Sequence, residues 1–370
     1  MNMDKWNLLT ILVALCGMAA TLVLTPVFRV IARKTDFMDR PANNHKGHRQ
    51  ATPLLGGAAM FTAWIICLTG GMTAIFGGMM PEYFQVELLA HIEGFHFAVR
   101  ELAFIVAGAT TAVVLGLIDD RWELKASVKF AGQFVVALLA VVGGGVRFNI
   151  FPMPEYVSVI LSLFWMMLLM NSINFFDNMD GLAVGTIAIA MGFFTVIALF
   201  SGQWFFAAFA ALNFGVCCGF WFYNANPATV FMGDSGSHFL GYLAAVVSSG
   251  VTFFDVGYSL SRFPVLIPVL ILALPLFDTA MVVVIRTCKG KPFWIGDHNH
   301  ISHRFVRLGL SRRGAVALVH LMALSIALAT LPIYWGNFYT AAVLVLQVFL
   351  LLTIVTVMQL AAKDDSERVK

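Results

Sequence analysis

Residues 165–181 read WMMLLMNSINFFDNMDG. They close an apolar run long enough to cross a bilayer, and then change abruptly to amides and carboxylates. Carboxylates are costly in lipid, so they are normally confined to protein interiors, transport pathways or membrane surfaces. Similar polar clusters follow apolar runs at 119–120, 231–236 and 297–304. The pattern predicts a membrane protein whose polar site is built at the ends of its spans.

The composition is that of a helical membrane protein. Of 370 residues, 60% are hydrophobic and 12% are charged, whereas soluble domains are about half apolar and about a quarter charged. The apolar runs are continuous, which excludes the alternating strands of a membrane barrel. The five cysteines form no CxxC pair, so neither a disulfide framework nor a zinc site is predicted.

Eleven apolar segments of about 17–25 residues predict transmembrane helices. They cover residues 8–31, 54–77, 101–118, 128–146, 155–173, 182–201, 204–223, 237–254, 263–285, 315–334 and 338–361. The sequence has no internal repeat and no sign of a second domain. We therefore expect an all-α polytopic membrane protein in which residues 1–370 form a single domain.

Basic residues are concentrated in alternate connections between these segments. The poorer connections carry only Lys5, Arg100, Arg147 and Arg262. The richer ones carry Arg33, Lys34, Arg40, Lys46 and Arg49; Arg121, Lys125 and Lys129; Arg286 through Arg313; and Lys363, Arg368 and Lys370. The positive-inside rule places the richer set in the cytoplasm, with the N-terminus outside and the C-terminus cytoplasmic. All four polar clusters and residues 45–48 then lie on the cytoplasmic face.

Asp119 and Asp120 end the third predicted span. Adjacent side chains on a helix differ by about 100° in direction, so the two cannot play the same role. One can bind a metal or act as a base while the other holds a cation; the alternative is a pair of surface acids that cap a helix end. Lys129 begins the next span, where an ammonium near carboxylates suits a phosphate. It can instead extend to the lipid headgroups.

Asn171, Asn174, Asp177 and Asp180 recur at every third residue. If one helix continues through them, they form a slowly rotating stripe along its surface. Amide and carboxylate oxygens on a shared face can bind Mg²⁺ and hydrogen-bond a sugar or a base. Polar residues in a helix-ending loop are the weaker explanation, because loops rarely give such regular spacing directly after an apolar run.

In the third cluster, Gly233 and Gly236 bracket Asp234. Glycine lets the backbone approach a phosphate or a metal closely. Phe231 can stack on a base, although packing in the interior is the commoner role of such a residue. Asn224 lies upstream of this cluster.

The fourth cluster contains His298, His300 and His303, followed by Arg304. Histidines in such a loop can be zinc ligands, proton carriers or hydrogen-bond donors to phosphate. No cysteine accompanies them, which disfavours structural zinc. Donation to a diphosphate is the favoured interpretation.

With these motifs the chain resembles the polyprenyl-phosphate N-acetylhexosamine-1-phosphate transferase superfamily, glycosyltransferase family 4. The similarity extends from HKGH at 45–48, with Pro53 and Gly56-Gly57, to His303-Arg304, with the four motifs in family order and spacing. The span count and the segment LGLS at 308–311 resemble the bacterial undecaprenyl-phosphate GlcNAc-1-phosphate transferases. The phospho-MurNAc-pentapeptide branch usually has ten spans and three consecutive histidines, whereas Ser302 stands at one of those positions here.

The resemblance implies a role for each matched residue. Asp119 is similar to the residue that deprotonates or orients the lipid phosphate, and Asp120 and Asp177 complete the expected catalytic set. Asp234 matches the Mg²⁺ ligand, with Asp177 as a second ligand. The expected substrate-binding residues are Lys46, His48, Lys129, Asn171, Asn174, Asp180, Asn224, Phe231, His298, His300, His303 and Arg304.

The resemblance also implies a reaction. It is the transfer of N-acetylhexosamine 1-phosphate, GlcNAc 1-phosphate in the first instance, from a UDP-sugar to undecaprenyl phosphate at the bacterial inner membrane. UMP is released, and a lipid-linked surface glycan is begun. The expected cofactor is Mg²⁺, with Mn²⁺ as a substitute; the partners are the two substrates and membrane lipids, without nucleic acid, and a homodimer is compatible. The alternatives are a phospho-MurNAc-pentapeptide transferase, another UDP-N-acetylhexosamine donor or, outside this class, a secondary transporter with a site near the bilayer midplane.

Overall fold

The computed structural model describes residues 3–40, 51–84, 92–148, 153–254, 260–290, 292 and 300–361. These ranges are almost entirely helical, which confirms the all-α prediction. One short antiparallel pair, β1 (Met38–Asp39) and β2 (Thr52–Pro53), interrupts them. Lys46, His48 and His298 lie outside the described residues, so their predicted contacts with substrate stay predictions.

The helices are α1 (Met3–Lys34), α2 (Gly56–Phe76), α3 (Ile92–Trp122), α4 (Ala126–Leu138, continued by a π-helical turn, Leu139–Gly143), α5 (Glu155–Phe176), α6 (Leu182–Phe200), α7 (Trp204–Asn224), α8 (Gly233–Gly250), α9 (Ile267–Ile271, preceded by a 3₁₀ turn, Phe263–Leu266), α10 (Ala273–Cys288), α11 (Ile301–Arg307), α12 (Arg312–Trp335) and α13 (Phe338–Ala361).

All eleven predicted spans coincide with helices of this structure. Nine helices in the described ranges are long and apolar enough to cross a membrane. The pair Phe263–Ile271 and Ala273–Cys288, bent by 70° at its break, adds a tenth if it forms one span. The remaining predicted segment, 237–254, coincides with α8, which is not among these helices and whose first turns are more polar than the rest. Nine or ten of the eleven predicted spans are therefore supported. Which end of each helix faces the cytoplasm stays a prediction.

Helix α8 can contain polar residues because it is surrounded by protein and not by lipid. Its N-terminal end meets α3, where Asp120 accepts a hydrogen bond from the backbone N–H of Asp234. Just beyond its other end, Thr252 exchanges two hydrogen bonds with Gln203, which precedes α7. Residues Ser235–Ser248 are buried throughout. Polar side chains are tolerated there because neighbouring helices satisfy their hydrogen bonds.

Glycines let two helices reach the first turn of α8. A Cβ on Gly57 of α2 would lie 2.2 Å from the backbone nitrogen of Gly236. A Cβ on Gly116 of α3 would lie 2.3 Å from the backbone nitrogen of Ser235. Any larger residue would force these backbones apart. Asp120 is one turn beyond Gly116 on the same face of α3, so this close approach brings its carboxylate to the start of α8.

Candidate active site

The ammonium group of Lys129 joins three of the four polar clusters. Its Nζ lies 2.7 Å from Asp119 Oδ2 and 2.5 Å from Asp234 Oδ2. It also lies 3.4 Å from Asn174 Oδ1. Asn174 in turn donates to Asp234 Oδ1 at 2.7 Å and to Ser237 Oγ at 2.9 Å. Helices α3, α4, α5 and α8 therefore meet at one charged centre, and Lys129 is turned inward to it rather than toward the headgroups.

The neighbouring residues Asp119 and Asp120 have different partners, as their directions on the helix require. Asp119 is buried, pairs with Lys129, and accepts a hydrogen bond from the backbone N–H of Leu124 at 2.7 Å. Asp120 accepts from the backbone N–H of Asp234 at 2.7 Å and of Ser235 at 3.1 Å. A carboxylate is stabilised at a helix N-terminus because unpaired N–H groups and the helix dipole converge there. Asp120 thus caps α8, while Asp119 faces the ammonium.

A buried layer of polar side chains lies behind this centre. His238 Nδ1 bonds the backbone carbonyl of Asp234 at 2.6 Å, and its Nε2 bonds Gln133 Nε2 at 2.8 Å. Gln133 also accepts from Asn171 Nδ2 at 2.8 Å. Because Gln133 Nε2 can only donate, His238 accepts at Nε2 and carries its proton on Nδ1. Asn171 is therefore placed in a supporting network one turn before Asn174.

The predicted polar stripe is correct for half of its length and wrong for the rest. Asn171 and Asn174 lie on α5, but the helix ends at Phe176, and Asp177 leaves helical geometry with φ −79° and ψ 57°. Asp180 lies in the following turn, which ends at Gly181 with φ +76°. Glycine adopts this left-handed backbone conformation without steric cost because it has no Cβ. The three-residue spacing continues past the end of the helix. Asp177 and Asp180 are therefore polar residues of a helix-ending loop, which was the alternative explanation of the spacing.

Asp177 lies at the junction between α5 and the loop, close to other carboxylates. Asp177 is half-buried. Burial first, and then repulsion from Asp234, Asp180 and Asp120, raise the pKa of Asp177 to about 8. Both effects disfavour its charged form. A cation bound beside Asp177 would offset both effects.

Asp180 and Asn224 hold the chain that leads to Asp234. Asp180 Oδ2 accepts from Asn226 Nδ2 at 2.9 Å and from the backbone N–H of Ala228 at 3.0 Å. Asn224 is buried; it accepts from the N–H of Gly181 and donates to the carbonyl of Val230, each at 3.0 Å. Both were predicted to bind substrate, and the structure shows both bound to backbone. Substrate binding by either stays a prediction.

Phe231 follows this loop and is half-buried. Its backbone N–H donates to the carbonyl of Pro53 in β2 at 2.8 Å, and its carbonyl accepts from Gly56 at 3.0 Å. The β1–β2 pair, which flanks residues 41–50, is thereby attached to the segment that carries Asp234. Stacking of the Phe231 ring on a base stays a prediction.

The fourth cluster reaches the same side of the bundle through α11. His300 is buried, with Nδ1 2.7 Å from Asp278 Oδ2. Ser302 donates to Asn178 Oδ1 at 2.5 Å, which brings α11 against the loop after α5. His303 is half-buried and Arg304 is buried on the same short helix. Their predicted contacts with a diphosphate stay predictions.

Several residues of these networks were missing from the predicted site, and three of them, Asp278, His238 and Asn178, differ in the signal that the sequence carried. Asp278 carried a signal, because an acid inside the apolar segment 263–285 is costly without a partner. His238 begins the predicted span 237–254, where a histidine in an apolar helix is more often a packed core residue. Asn178 lies within the second cluster but outside the three-residue spacing.

The oxygen donors present suit a hard cation that is shared with a substrate. In the described ranges, no three His, Cys, Asp or Glu side chains converge in the manner of a complete metal cage. Mg²⁺, however, is usually bound through one or two carboxylates together with water and substrate phosphates. Asp234 and Asp177 offer two carboxylates of this kind, and repulsion from Asp234 is one cause of the raised pKa of Asp177. Metal binding by these two residues stays a prediction.

Comparison with known proteins identifies the family to which the chain is similar. The family described as glycosyl transferase family 4 matches residues 102–251, which include the Lys129 centre. A decaprenyl-phosphate N-acetylglucosaminephosphotransferase of Mycobacterium tuberculosis is 31% identical over 90% of this chain and 85% of its own length. The chain belongs to glycosyl transferase family 4. The family predicted from the four motifs is thus confirmed.

Other relatives in the family cover the chain almost end to end. A probable undecaprenyl-phosphate N-acetylglucosaminyl 1-phosphate transferase of Bacillus subtilis is 29% identical over 98% of this chain and 93% of its own length. The undecaprenyl-phosphate alpha-N-acetylglucosaminyl 1-phosphate transferase of Escherichia coli K12 is 27% identical over 87% and 83%. The family match extends from α3 to just beyond α8, the helices that carry Asp119, Lys129, Asn174 and Asp234.

Proposed function

We propose that this protein transfers N-acetylglucosamine 1-phosphate from UDP-GlcNAc to a polyprenyl phosphate, undecaprenyl phosphate in the first instance. An oxygen of the lipid phosphate attacks the sugar-bearing phosphorus of the donor. The bond from this phosphorus to the bridging oxygen breaks, UMP leaves, and a lipid-linked sugar diphosphate remains. The observation that carries the proposal is the charged centre at Lys129, in a chain whose relatives are named for this reaction.

Lys129 is the residue proposed to receive the phosphates. An ammonium held by two carboxylates is fixed in place, yet phosphate oxygens can compete for it. Asp119 lies 2.7 Å from the same ammonium and is proposed to orient the lipid phosphate or accept its proton. In phosphoryl transfer, positioning and charge stabilisation provide most of the rate enhancement, so these two side chains are central.

Asp234 and Asp177 are the proposed ligands of Mg²⁺. Held by these two carboxylates, Mg²⁺ would supply positive charge to neutralise the donor diphosphate and the leaving UMP. Asn174 fixes the Asp234 carboxylate through a 2.7 Å hydrogen bond, and Asp120 fixes the backbone of the same residue. Helix α11, with His303 and Arg304, is proposed to contribute donors to the diphosphate.

The proposed location is the cytoplasmic face of a bacterial inner membrane. The apolar helices support a multi-pass membrane protein. The excess of Lys and Arg at the ends that carry the site supports the cytoplasmic side, where nucleotide sugars are available. The centre lies at helix ends and not in the middle of broken helices, which argues against a transporter site at the midplane.

The test is an assay of purified protein in detergent with UDP-GlcNAc, undecaprenyl phosphate and Mg²⁺. UMP and a lipid-linked product should form together, and a panel of UDP-sugars measures donor preference. Asp234→Asn should reduce turnover by more than about a hundredfold, because metal binding contributes several kcal/mol and each 1.4 kcal/mol is about tenfold.

Glu155→Gln is the matched control. It also replaces a carboxylate by an amide, but at the start of α5, at the other end of that helix from Asn174, and on a side chain that is 86% exposed. Its turnover should equal that of the wild type. The proposal fails if the wild type releases no UMP from any UDP-sugar. The metal assignment alone fails if Asp234→Asn keeps near-normal turnover at saturating Mg²⁺.

A further inference from the structure

A buried acid outside the four polar clusters contacts the end of the histidine loop. Asp278 lies in the middle of α10, on the bent span, and is 1% exposed. Its Oδ2 lies 2.7 Å from His300 Nδ1. Its Oδ1 accepts a hydrogen bond from the backbone N–H of Ile301 at 2.7 Å. Both oxygens of this carboxylate are thus committed to two consecutive residues of the loop.

These two contacts orient the imidazole ring of His300. A carboxylate only accepts hydrogen bonds, so the proton shared with Asp278 belongs to Nδ1. The partner of one ring nitrogen fixes both the tautomer and the orientation of the ring, as is common for histidines at functional sites. With Nδ1 committed to Asp278, any contact of His300 with another group must be made through Nε2.

The second contact fixes the start of α11. The N–H of Ile301 is the first of this helix and has no partner within it, so the Asp278 carboxylate takes the place of a capping side chain. One residue later, Ser302 donates to Asn178 Oδ1 at 2.5 Å, and Asn178 itself donates to the carbonyl of Phe175 at 3.0 Å. The helix is therefore attached to α10 on one side and to the end of α5, beside Asp177, on the other.

We propose that Asp278 is a positioning residue for the nucleotide-sugar site. It holds the Nδ1–H tautomer of His300, whose Nε2 is then a hydrogen-bond acceptor for a hydroxyl or amide N–H of the nucleotide sugar, and it fixes α11 beside Asp177. The inference rests on the proposed function, because it assigns Asp278 an effect on the donor of that reaction. Asp278 itself does not touch the substrate: it is buried in the span, and both of its oxygens are occupied by His300 and Ile301.

The test is Asp278→Asn, which keeps the shape of the side chain and one oxygen for the N–H of Ile301. The NH₂ group that then faces Nδ1 can only donate, so the ring must carry its proton on Nε2, and Nε2 can no longer accept a hydrogen bond from the donor. KM for UDP-GlcNAc should rise about tenfold, which equals ~1.4 kcal/mol. The turnover number and KM for undecaprenyl phosphate should stay within about threefold. The dissociation constant of UDP-GlcNAc, measured by equilibrium dialysis, should rise in parallel with its KM.

Thr279→Val is the matched control. Thr279 is the next residue of α10, is buried, and its hydroxyl has no hydrogen-bond partner among the described residues. This variant should leave both substrates unaffected. A double-mutant cycle with His300→Ala separates positioning from general destabilisation. In the His300→Ala background, Asp278→Asn should change KM for the donor by less than about twofold.

The proposal is overturned if Asp278→Asn leaves donor KM and dissociation constant unchanged. It is also overturned if the two substitutions act additively, or if the lipid substrate is the one affected. Loss of folding, seen as a lower thermal midpoint in detergent with parallel loss of both substrates, contradicts it as well. A wild-type protein without transferase activity contradicts the proposed function instead, and the dialysis measurement still decides whether Asp278 affects nucleotide-sugar binding.

Discussion

Two pairs of carboxylates lie at the start of α8 and around the loop that precedes it, and they differ in the groups that hold them. Asp119 and Asp234 share the ammonium of Lys129, and Asp119 also accepts a hydrogen bond from the backbone N–H of Leu124. Asp120 and Asp180 accept hydrogen bonds from backbone N–H groups of Asp234, Ser235 and Ala228. A backbone amide is a permanent partner, whereas an ammonium can exchange a carboxylate for a phosphate. Contact with the Lys129 ammonium therefore distinguishes the two carboxylates suited to chemistry, Asp119 and Asp234, from the two that build the site.

The first way to break this comparison is to remove the shared ammonium by Lys129→Met, which keeps the apolar stem. kcat/KM should fall at least about a hundredfold, because charge-assisted contacts to phosphate are worth roughly 1.5–3 kcal/mol each. The repulsion between Asp119 and Asp234 is also no longer offset. Steady-state kinetics with both substrates measure the loss.

Lys125→Met is the control, because Lys125 is exposed and lies one turn earlier, at the start of the same helix. It should leave kcat/KM unchanged. If Lys129→Met keeps more than a tenth of wild-type activity, the ammonium is not the phosphate site, and the distinction between the two pairs loses its basis.

Asp120→Asn probes the second pair and should have an intermediate effect. An amide offers one oxygen, so one of the two N–H groups at the start of α8 would face an NH₂ group. Leaving a buried N–H unsatisfied costs about 1–3 kcal/mol. We expect a lower thermal midpoint in detergent and an activity loss of about tenfold, since Asp234 is displaced with the helix end.

The matched control for that substitution is Asp36→Asn. Asp36 is exposed and has φ +55°, a conformation that asparagine adopts readily. Its thermal midpoint should not fall. If Asp120→Asn keeps the stability of the wild type but loses its activity, Asp120 acts on substrate. It would then belong with Asp119 and Asp234.

Asp180→Asn should have the smallest effect. Both contacts of Asp180 are made by a single oxygen, and asparagine can present one oxygen to Asn226 and Ala228. kcat/KM should therefore stay within about threefold, whereas Asp180→Ala, which frees the loop before Asp234, should lower it about tenfold. If Asp180→Asn is as inactive as Asp234→Asn, the reaction requires the charge of Asp180 itself. That result would contradict a purely structural role for Asp180 in the loop before Asp234.

The sequence predicted the helices well because crossing a bilayer imposes a length and a composition that are visible residue by residue. It also predicted that Asp119 and Asp120 would differ, since their directions follow from helix geometry alone. Which of them would cap α8 was not predictable. That choice depends on the approach of Gly116 to Ser235, which only the packing of two distant segments determines.

The same limit explains the other differences. Periodicity cannot reveal that α5 ends at Phe176, because the spacing of Asn171 to Asp180 continues through the loop by coincidence. Asp278 could have been suspected from its apolar surroundings, but its partner, His300, lies 22 residues away and across a segment without periodicity. The roles of these polar residues depend on contacts between segments that are distant in sequence. Such contacts cannot be predicted from the pattern of residues along the chain.

The packing of α1 has a consequence for the order in which the protein is made. Its main neighbour is α7, against which Gly17, Gly215 and Gly219 allow close approach. Roughly 170 residues separate the end of α1 from the start of α7, which corresponds to about 10–35 s of synthesis at ~5–20 residues per second.

During that interval the first helix must remain in the bilayer without its partner. Its hydroxyl groups are suited to this wait: Thr10, Thr21 and Thr25 each donate to a carbonyl four residues earlier in the same helix. No polar group of these side chains depends on α7 for its hydrogen bond. These three hydroxyl groups therefore do not prevent α1 from entering lipid alone. When α7 is made later, it contributes close packing and not hydrogen bonds to these hydroxyl groups.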